Sequence, residues 1–339
     1  MIPRTSPEGR LALVILLAAV YAACYTAIKA GLAFAPPLRF AGLRAAIAGL
    51  VLLGALATLR RPLLPPRRLW PWIFALSVTG TVLAYGAMFS SPGRTGAGIA
   101  SVLGNTGPLI VVVLAVLFLG EEMTRGKTVA LVLGLVGVSL ISYPALAGPS
   151  RFGLSGAVLA LAAATGTAGE SILFKAADAG DALVRVAGWQ FLIGSVPLLA
   201  LSAWLEGGAG IEWNGRFMLL LIFLALIGTA GAVSLWYWLI QRDEVGRLSL
   251  LLFMVPVLGL GLAVAVFRER IGPHQAVGIA VTLAGLAVLA REAWVNRAVE
   301  ADRALADDRD EGVRVGLKTS SRSGASGSTL DPAASPRHE

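Results

Sequence analysis

Four polar side chains stand inside long apolar stretches of this sequence, where each is costly unless it has something to do. Glu170 lies in GTAGESILFKAA, Arg44 in RFAGLRAAIAGL, Gln190 in AGWQFLIGS and Asn105 in SVLGNTGPL. A carboxyl at position 170 must be paired, protonated or wetted by a cavity. It can then bind an amine or carry a coupling proton; the alternative is that it reaches water or Lys175 about one turn further on. Arg44 lies about six residues, roughly 9 Å, from the end of its apolar run. It can attract a carboxylate, pair with a neighbouring helix, or snorkel to lipid headgroups. Asn105 shares its stretch with Ser101, Thr106 and Pro108, and a proline there removes a helical hydrogen bond and kinks the chain. Such a kink exposes backbone groups that can line a cavity, or it serves packing alone. Tyr25, Tyr85 and Trp236, with Tyr21 and Tyr237, can furnish an aromatic wall for a solute or can anchor helices at the interface. A site of this kind, mixed aromatic and polar with few fixed charges, suits small zwitterions or moderately apolar metabolites. Phosphorylated cargo would want several Arg or Lys side chains.

These residues need elements to hold them, and the composition says which. Of 339 residues, 56% are hydrophobic and 14% charged, with mean hydropathy +0.77; a water-exposed globule of this size carries about a quarter charged residues. About ten runs are long enough to cross a bilayer as helices, at 11–34, 38–59, 70–90, 97–119, 127–147, 153–174, 184–205, 215–240, 246–267 and 274–290. The runs lack the strand-like alternation of a membrane β-barrel, so the expected class is an all-α membrane protein. The first run, long and followed at once by a second, is read as a retained helix rather than a signal peptide. With the N-terminus placed in the cytoplasm, the inner loops hold twelve Lys and Arg and the outer loops seven, the cluster Arg60, Arg61, Arg67 and Arg68 deciding most of it. By the positive-inside rule both termini are expected to be cytoplasmic, in the plasma or inner membrane. The net charge of +8 is thus a topology signal, and no nucleic-acid partner is expected. Cys24 is the only cysteine, which excludes an internal disulfide. From about residue 300 the chain turns rich in Asp, Arg, Ser and Gly and is expected to be a disordered cytoplasmic tail.

The sequence also repeats itself. A shift of 148 places Gly98 on Gly246, Ser101 on Ser249, Pro108 on Pro256, Glu121 on Glu269 and Gly137 on Gly285. A shift of 146 places Lys29 on Lys175, Arg44 on Gln190 and Cys24 on Glu170. The expected organisation is a cytoplasmic N-terminus over 1–10, one five-helix repeat over 11–147, a second over 153–290 and the tail over 300–339. An odd number of helices per repeat makes the two halves insert in opposite orientation, the inverted-repeat plan of many secondary transporters. Glu121 and Glu269 are expected to cap the helices that follow them or to pair with Arg125 and Arg270. Gly49, Gly54, Gly134, Gly137, Gly278 and Gly285 are expected at close helix contacts.

The segment NTGPLIVVVLAVLFLGEEMTRGKTVALVLGLVGVSLI and its partner FMVPVLGLGLAVAVFRERIGPHQAVGIAVTLAGLAVL resemble the repeat of the EamA-type drug/metabolite transporters. That repeat carries a mid-helix proline, a glutamate closing the fourth helix and a glycine-rich fifth helix. Lys29 and Arg44 match a lysine ending the family's first helix and an arginine in its second. Tyr21, Ala22 and Cys24 stand where the family usually has Trp, Gly and a polar residue, and Gln190 replaces the second arginine. The resemblance covers about 11–290. It implies a ten-helix secondary carrier of a small-molecule substrate, often an exporter of amino acids or other metabolites, working by alternating access. Membrane lipid is the other expected partner and a proton a candidate coupling ion; no feature sets an oligomeric state. The competing class is a polytopic membrane protein without a carrier cycle, lipid-associated or receptor-like. Neither an enzyme nor a cofactor is expected: GEEMTRGKT has one residue too many between its glycines for a phosphate-binding loop. GLSG at 153–156 lacks the intramembrane histidine that a serine nucleophile needs, His274 standing in a loop and His338 in the tail.

Overall fold

Lipid offers no partner to a backbone N–H or C=O, so an apolar run that crosses a bilayer satisfies its own groups by winding into a helix. The computed structural model describes residues 7–91, 103, 106–147, 154–207, 209–267 and 272–292, and among them it contains helices and no strand. In chain order these are α1 Pro7–Gly31, α2 Pro37–Thr58, α3 Arg67–Ser90, α4 Gly107–Leu119 and α5 Arg125–Ala147. There follow α6 Leu154–Ala177, α7 Leu183–Leu205, α8 Gly215–Ile240, α9 Val245–Leu251, α10 Met254–Phe267 and α11 Pro273–Glu292. Among the described residues seven helices are long and apolar enough to cross a membrane. α9 and α10 make one broken pass, so each half contributes five. The chain divides into a unit Met1–Leu289 and a second, Ala290–Glu339, of which only 290–292 are described; the expected tail lies outside the described residues.

Local chemistry sets the helix ends. α2 follows Pro36 in extended backbone and has Pro37 in its first turn, where a missing N–H costs nothing. α8 is capped by Asn214, whose side chain accepts from Phe217 N at 2.8 Å. α4 stops at Gly120 in the left-handed region, φ 68°. The two repeat prolines do not kink a helix from within. Pro108 is in the first turn of α4 as described, and Pro256 is the third residue of α10, behind a turn at Leu252 and Phe253. Each stands where a helix begins, the position that tolerates its ring.

The helix neighbours obey a two-fold exchange. α2 packs on α7, the second helices of the two repeats; α1 packs on α8 and α10, while α6, its counterpart, packs on α3 and α4. Small residues permit the self-paired contacts. A Cβ on Gly49 of α2 would stand 2.8 Å from the carbonyl oxygen of Gly188 on α7, and one on Gly137 of α5 would stand 2.1 Å from Thr282 Oγ1 on α11. Gly134, Gly278 and Gly285 are equally tight, whereas Gly54 has nothing within 4 Å of its Cβ position and is no contact residue.

Two glutamates tie helix starts of one repeat to the other. Glu206, just after α7, accepts from Leu38 N at 2.6 Å and Arg39 N at 3.1 Å at the start of α2. Glu121, just after α4, accepts from Val245 N at 2.6 Å and Gly246 N at 3.0 Å at the start of α9. It lies 3.6 Å from Lys127 Nζ, which is also 2.9 Å from Glu244. Glu121 therefore caps a helix of the opposite repeat rather than the one after it, and its cation is Lys127 instead of Arg125; Glu269 lies outside the described residues. The carboxylate suits the positive end of a helix. Glu121→Gln replaces one acceptor with an NH2 group facing an N–H, and is expected to lower stability by about 1–3 kcal/mol, read as a lower thermal midpoint in detergent.

Candidate functional site

The third helix of each repeat is not regular. α3 widens into a π-helical segment over Ser77–Leu83 and α8 does so over Leu226–Gly231. A π turn shifts hydrogen bonds to the fifth residue, and such segments gather at functional sites. Both contain a Gly-Thr pair, Gly80-Thr81 and Gly228-Thr229, and the pairs are 148 residues apart. The glycines make room for the same repeat position in the opposite half. A Cβ on Gly228 would stand 2.4 Å from Cys24 Sγ, and a Cβ on Gly80 would stand 2.3 Å from Glu170 Cδ. Two pseudo-equivalent sites follow, one built from Cys24, Arg44 and Gly228-Thr229, the other from Glu170, Gln190 and Gly80-Thr81.

In the first site Arg44 is 3% exposed. Its Nε donates to Thr229 Oγ1 at 2.6 Å and its Nη2 to the Gly228 carbonyl at 3.1 Å, while Thr229 donates onward to Leu224 O at 2.8 Å. The guanidinium lies over the ring of Tyr85 at 4.7 Å and near that of Phe89 at 5.7 Å. Nη1 is buried without a hydrogen-bond partner, and no ion pair among the described residues involves Arg44. Snorkelling is excluded for this residue, since its charge is turned into the bundle. A buried cation with an idle donor and aromatic faces beside it has the chemistry to take an anion.

In the second site Glu170 is 7% exposed. Its Oε1 accepts from Gln190 Nε2 and from the Tyr237 hydroxyl, each at 2.7 Å, and Tyr237 also meets Gln190 Oε1. Tyr237 is stacked on Phe174 at 3.6 Å. Lys175 does not answer Glu170: its Nζ donates to the carbonyls of Ile240 and Asp243, anchoring the end of α8. Because Gln190 is committed here, Thr81, the counterpart of Thr229, keeps a buried hydroxyl without a partner.

The structure thus brings together Arg44, Tyr85, Glu170 and Gln190, with Trp236 beside them. Tyr85 senses both Arg44 and Glu170 and stacks on Phe191 at 6.0 Å. Trp236 donates to Ser171 Oγ at 3.1 Å. Tyr25, one residue beyond the buried Cys24, is 56% exposed and lies within reach of the Arg44 charge. Asn105 lies outside the described residues. Sequence reasoning passed over Thr229 and the two glycines and gave Tyr237 only a place in an aromatic wall. The signal was there, since the shift that aligns Pro108 with Pro256 also aligns Gly80-Thr81 with Gly228-Thr229.

Ten passes in two inverted five-helix repeats, with a polar site at the junction of the halves, define the scaffold of a small-solute carrier. The chain belongs to the EamA-like transporter family, whose model matches residues 10–143 and again 154–291, and it is a multi-pass membrane transporter. It is 29% identical over 255 residues to the uncharacterized transporter YvbV of Bacillus subtilis, covering 75% of this chain and 83% of that one. It is also 29% identical over 288 residues to a probable amino-acid metabolite efflux pump of Salmonella typhimurium, covering 82% and 93%. A solved crystal structure superposes with a TM-score of 0.68 at 22% identity, over 82% of this chain and 94% of the other, and so shares the fold.

Proposed function

We propose that this chain is a secondary exporter of small carboxylate-bearing metabolites, amino acids or close relatives, in the cell membrane. The observation that carries the reading is Arg44: a buried cation at the meeting of the two repeats, one of its donors idle, laid over Tyr85. A solute carboxylate is the anion of the right size and charge for that donor, and Tyr85 and the neighbouring aromatic rings offer the solute's carbon frame an apolar bed. Outward direction draws on the relative named an amino-acid metabolite efflux pump. The two-fold exchange of helix neighbours supports alternating access, in which each half takes the conformation of the other. Solute shifts that equilibrium through unequal affinity for the two states. The positive-inside bias supports both termini in the cytoplasm.

The test is counterflow in proteoliposomes loaded with a mixture of unlabelled neutral L-amino acids. Labelled amino acid outside is expected to accumulate transiently above its equilibrium level. Export is then checked by comparing amino-acid pools in cells and medium with and without the protein. Absence of counterflow for amino acids and for other small carboxylates would sink the carrier reading and favour a lipid-associated or receptor-like role.

A further inference from the structure

The contacts of Glu170, Gln190 and Tyr237 form a closed triangle, and its hydrogens can be counted. The edges are Gln190–Glu170 at 2.7 Å, Tyr237–Glu170 at 2.7 Å and the shorter Tyr237–Gln190 contact. A phenol has one hydrogen to give, and an ionised carboxylate has none. With Glu170 ionised, Tyr237 donates either to Glu170 or to Gln190, and the other oxygen pair is left in contact with no hydrogen between. Turning the Gln190 amide over does not help: its NH2 then serves Tyr237, and its oxygen faces the Glu170 oxygen instead. One edge is always short of a hydrogen. A single proton on Glu170 Oε1 closes the ring: Glu170 donates to Tyr237, Tyr237 to Gln190, and Gln190 back to Glu170.

The surroundings agree with this count. No Lys or Arg among the described residues pairs with Glu170, and Gly80 presses against its carboxyl carbon. The titratable groups within reach of its charge are Tyr237 of α8, Tyr21 of α1 and Tyr85 of α3, and α7 presents the neutral Gln190. A buried carboxylate with no cation is the costly form.

We propose that Glu170 is the proton-carrying site of this transporter, protonated in the conformation described, and that one proton moves inward for each solute moved outward. The inference rests on the carrier reading and adds its coupling ion. The link between the two sites is α8. It gives Gly228 and Thr229 to Arg44 and Tyr237 to Glu170, two turns apart on one rod. A carboxylate that draws Arg44 away from Thr229 frees α8, and Tyr237 moves with it. The ring then opens, the proton passes from Glu170 to water on one face, and it is regained from water on the other. The two ligands are coupled because one helix reports on both.

The experiment uses the full chain in liposomes and Glu170→Gln. This substitution brings two amide hydrogens. With the Gln190 amide turned over, the new amide donates to Tyr237 and to Gln190, and Gln190 donates to Tyr237, so each edge keeps a hydrogen while the Tyr237 hydroxyl hydrogen leaves the ring. Infrared spectra at neutral pH are expected to show the C=O band of a protonated carboxylic acid in the wild type and not in E170Q. An imposed gradient of about one pH unit is expected to raise amino-acid accumulation by the wild type about tenfold, the free energy of one proton per solute, with proton movement recorded by a trapped dye; E170Q is expected to lose the response to the gradient. Wild-type counterflow that ignores the gradient, or a wild-type spectrum without the band, would overturn the proton site and leave the carrier reading standing. If the wild type shows no counterflow at all, the carrier reading falls and coupling falls with it, whatever the spectrum shows.

Discussion

Arg44→Leu is expected to abolish counterflow while leaving insertion and stability unharmed. The asymmetry comes from what each side of the guanidinium does. Toward the protein it donates to Thr229 and Gly228, but Thr229 already has Leu224 O as a second partner and loses little when the arginine goes. The cation itself has no protein carboxylate beside it among the described residues, so leucine, though shorter than arginine, removes an uncompensated buried charge. The thermal midpoint in detergent is therefore expected to hold or to rise. Toward the solute, a charge-assisted hydrogen bond is worth about 1.5–3 kcal/mol, which is about ten- to hundredfold in affinity. Arg44→Lys separates charge from shape. An ammonium keeps the charge but cannot present a planar fork of N–H groups to a carboxylate, and about tenfold weaker binding is expected. Unchanged solute affinity in both variants would show that the guanidinium does not touch the solute, and the anion receptor would have to be sought elsewhere.

Gly228→Ala is expected to be strongly damaging for a single added methyl group, and Cys24→Ala is expected to repair it. The added Cβ would stand 2.4 Å from Cys24 Sγ, with the Arg44 guanidinium at 3.7 Å and Leu224 Cδ2 also at 3.7 Å. Cys24 is 5% exposed and has little room to retreat. Overpacking of this kind costs about 1–3 kcal/mol. It also displaces the π segment that holds Arg44, so counterflow is expected to fall together with the thermal midpoint. Removing the sulfur vacates the space that the methyl group needs. The double variant is expected to recover most of both losses, a non-additivity diagnostic of direct contact. An additive cycle would mean that the segment relaxes without pressing on Cys24. Gly80→Ala makes the parallel collision with Glu170 Cδ at 2.3 Å, and there no rescue is available without removing the carboxyl.

The passes were legible in the sequence because hydrocarbon thickness fixes the length of an apolar helix, and the repeat because Pro108 and Glu121 recur as Pro256 and Glu269 at one spacing. Arg44, Glu170 and Gln190 stood out for the same reason that makes them expensive: polar atoms in an apolar run. What the residues around them face was not legible. A helix that is apolar all round carries no stripe to say which side meets protein and which meets lipid. Tyr25 read as a wall residue beside Cys24, and the fold leaves it 56% exposed, a value that no sequence pattern announces. Tyr237 read as one aromatic among several until packing brought it, 47 residues away from Gln190 in sequence, into hydrogen-bonding contact with it; the same packing gave Glu121 to the start of α9. Length and polarity are properties of a segment and are written along the chain. The proton-sized fit of Glu170, Gln190 and Tyr237, and the idle donor of Arg44, depend on how helices from two repeats lock together, which only tertiary packing decides.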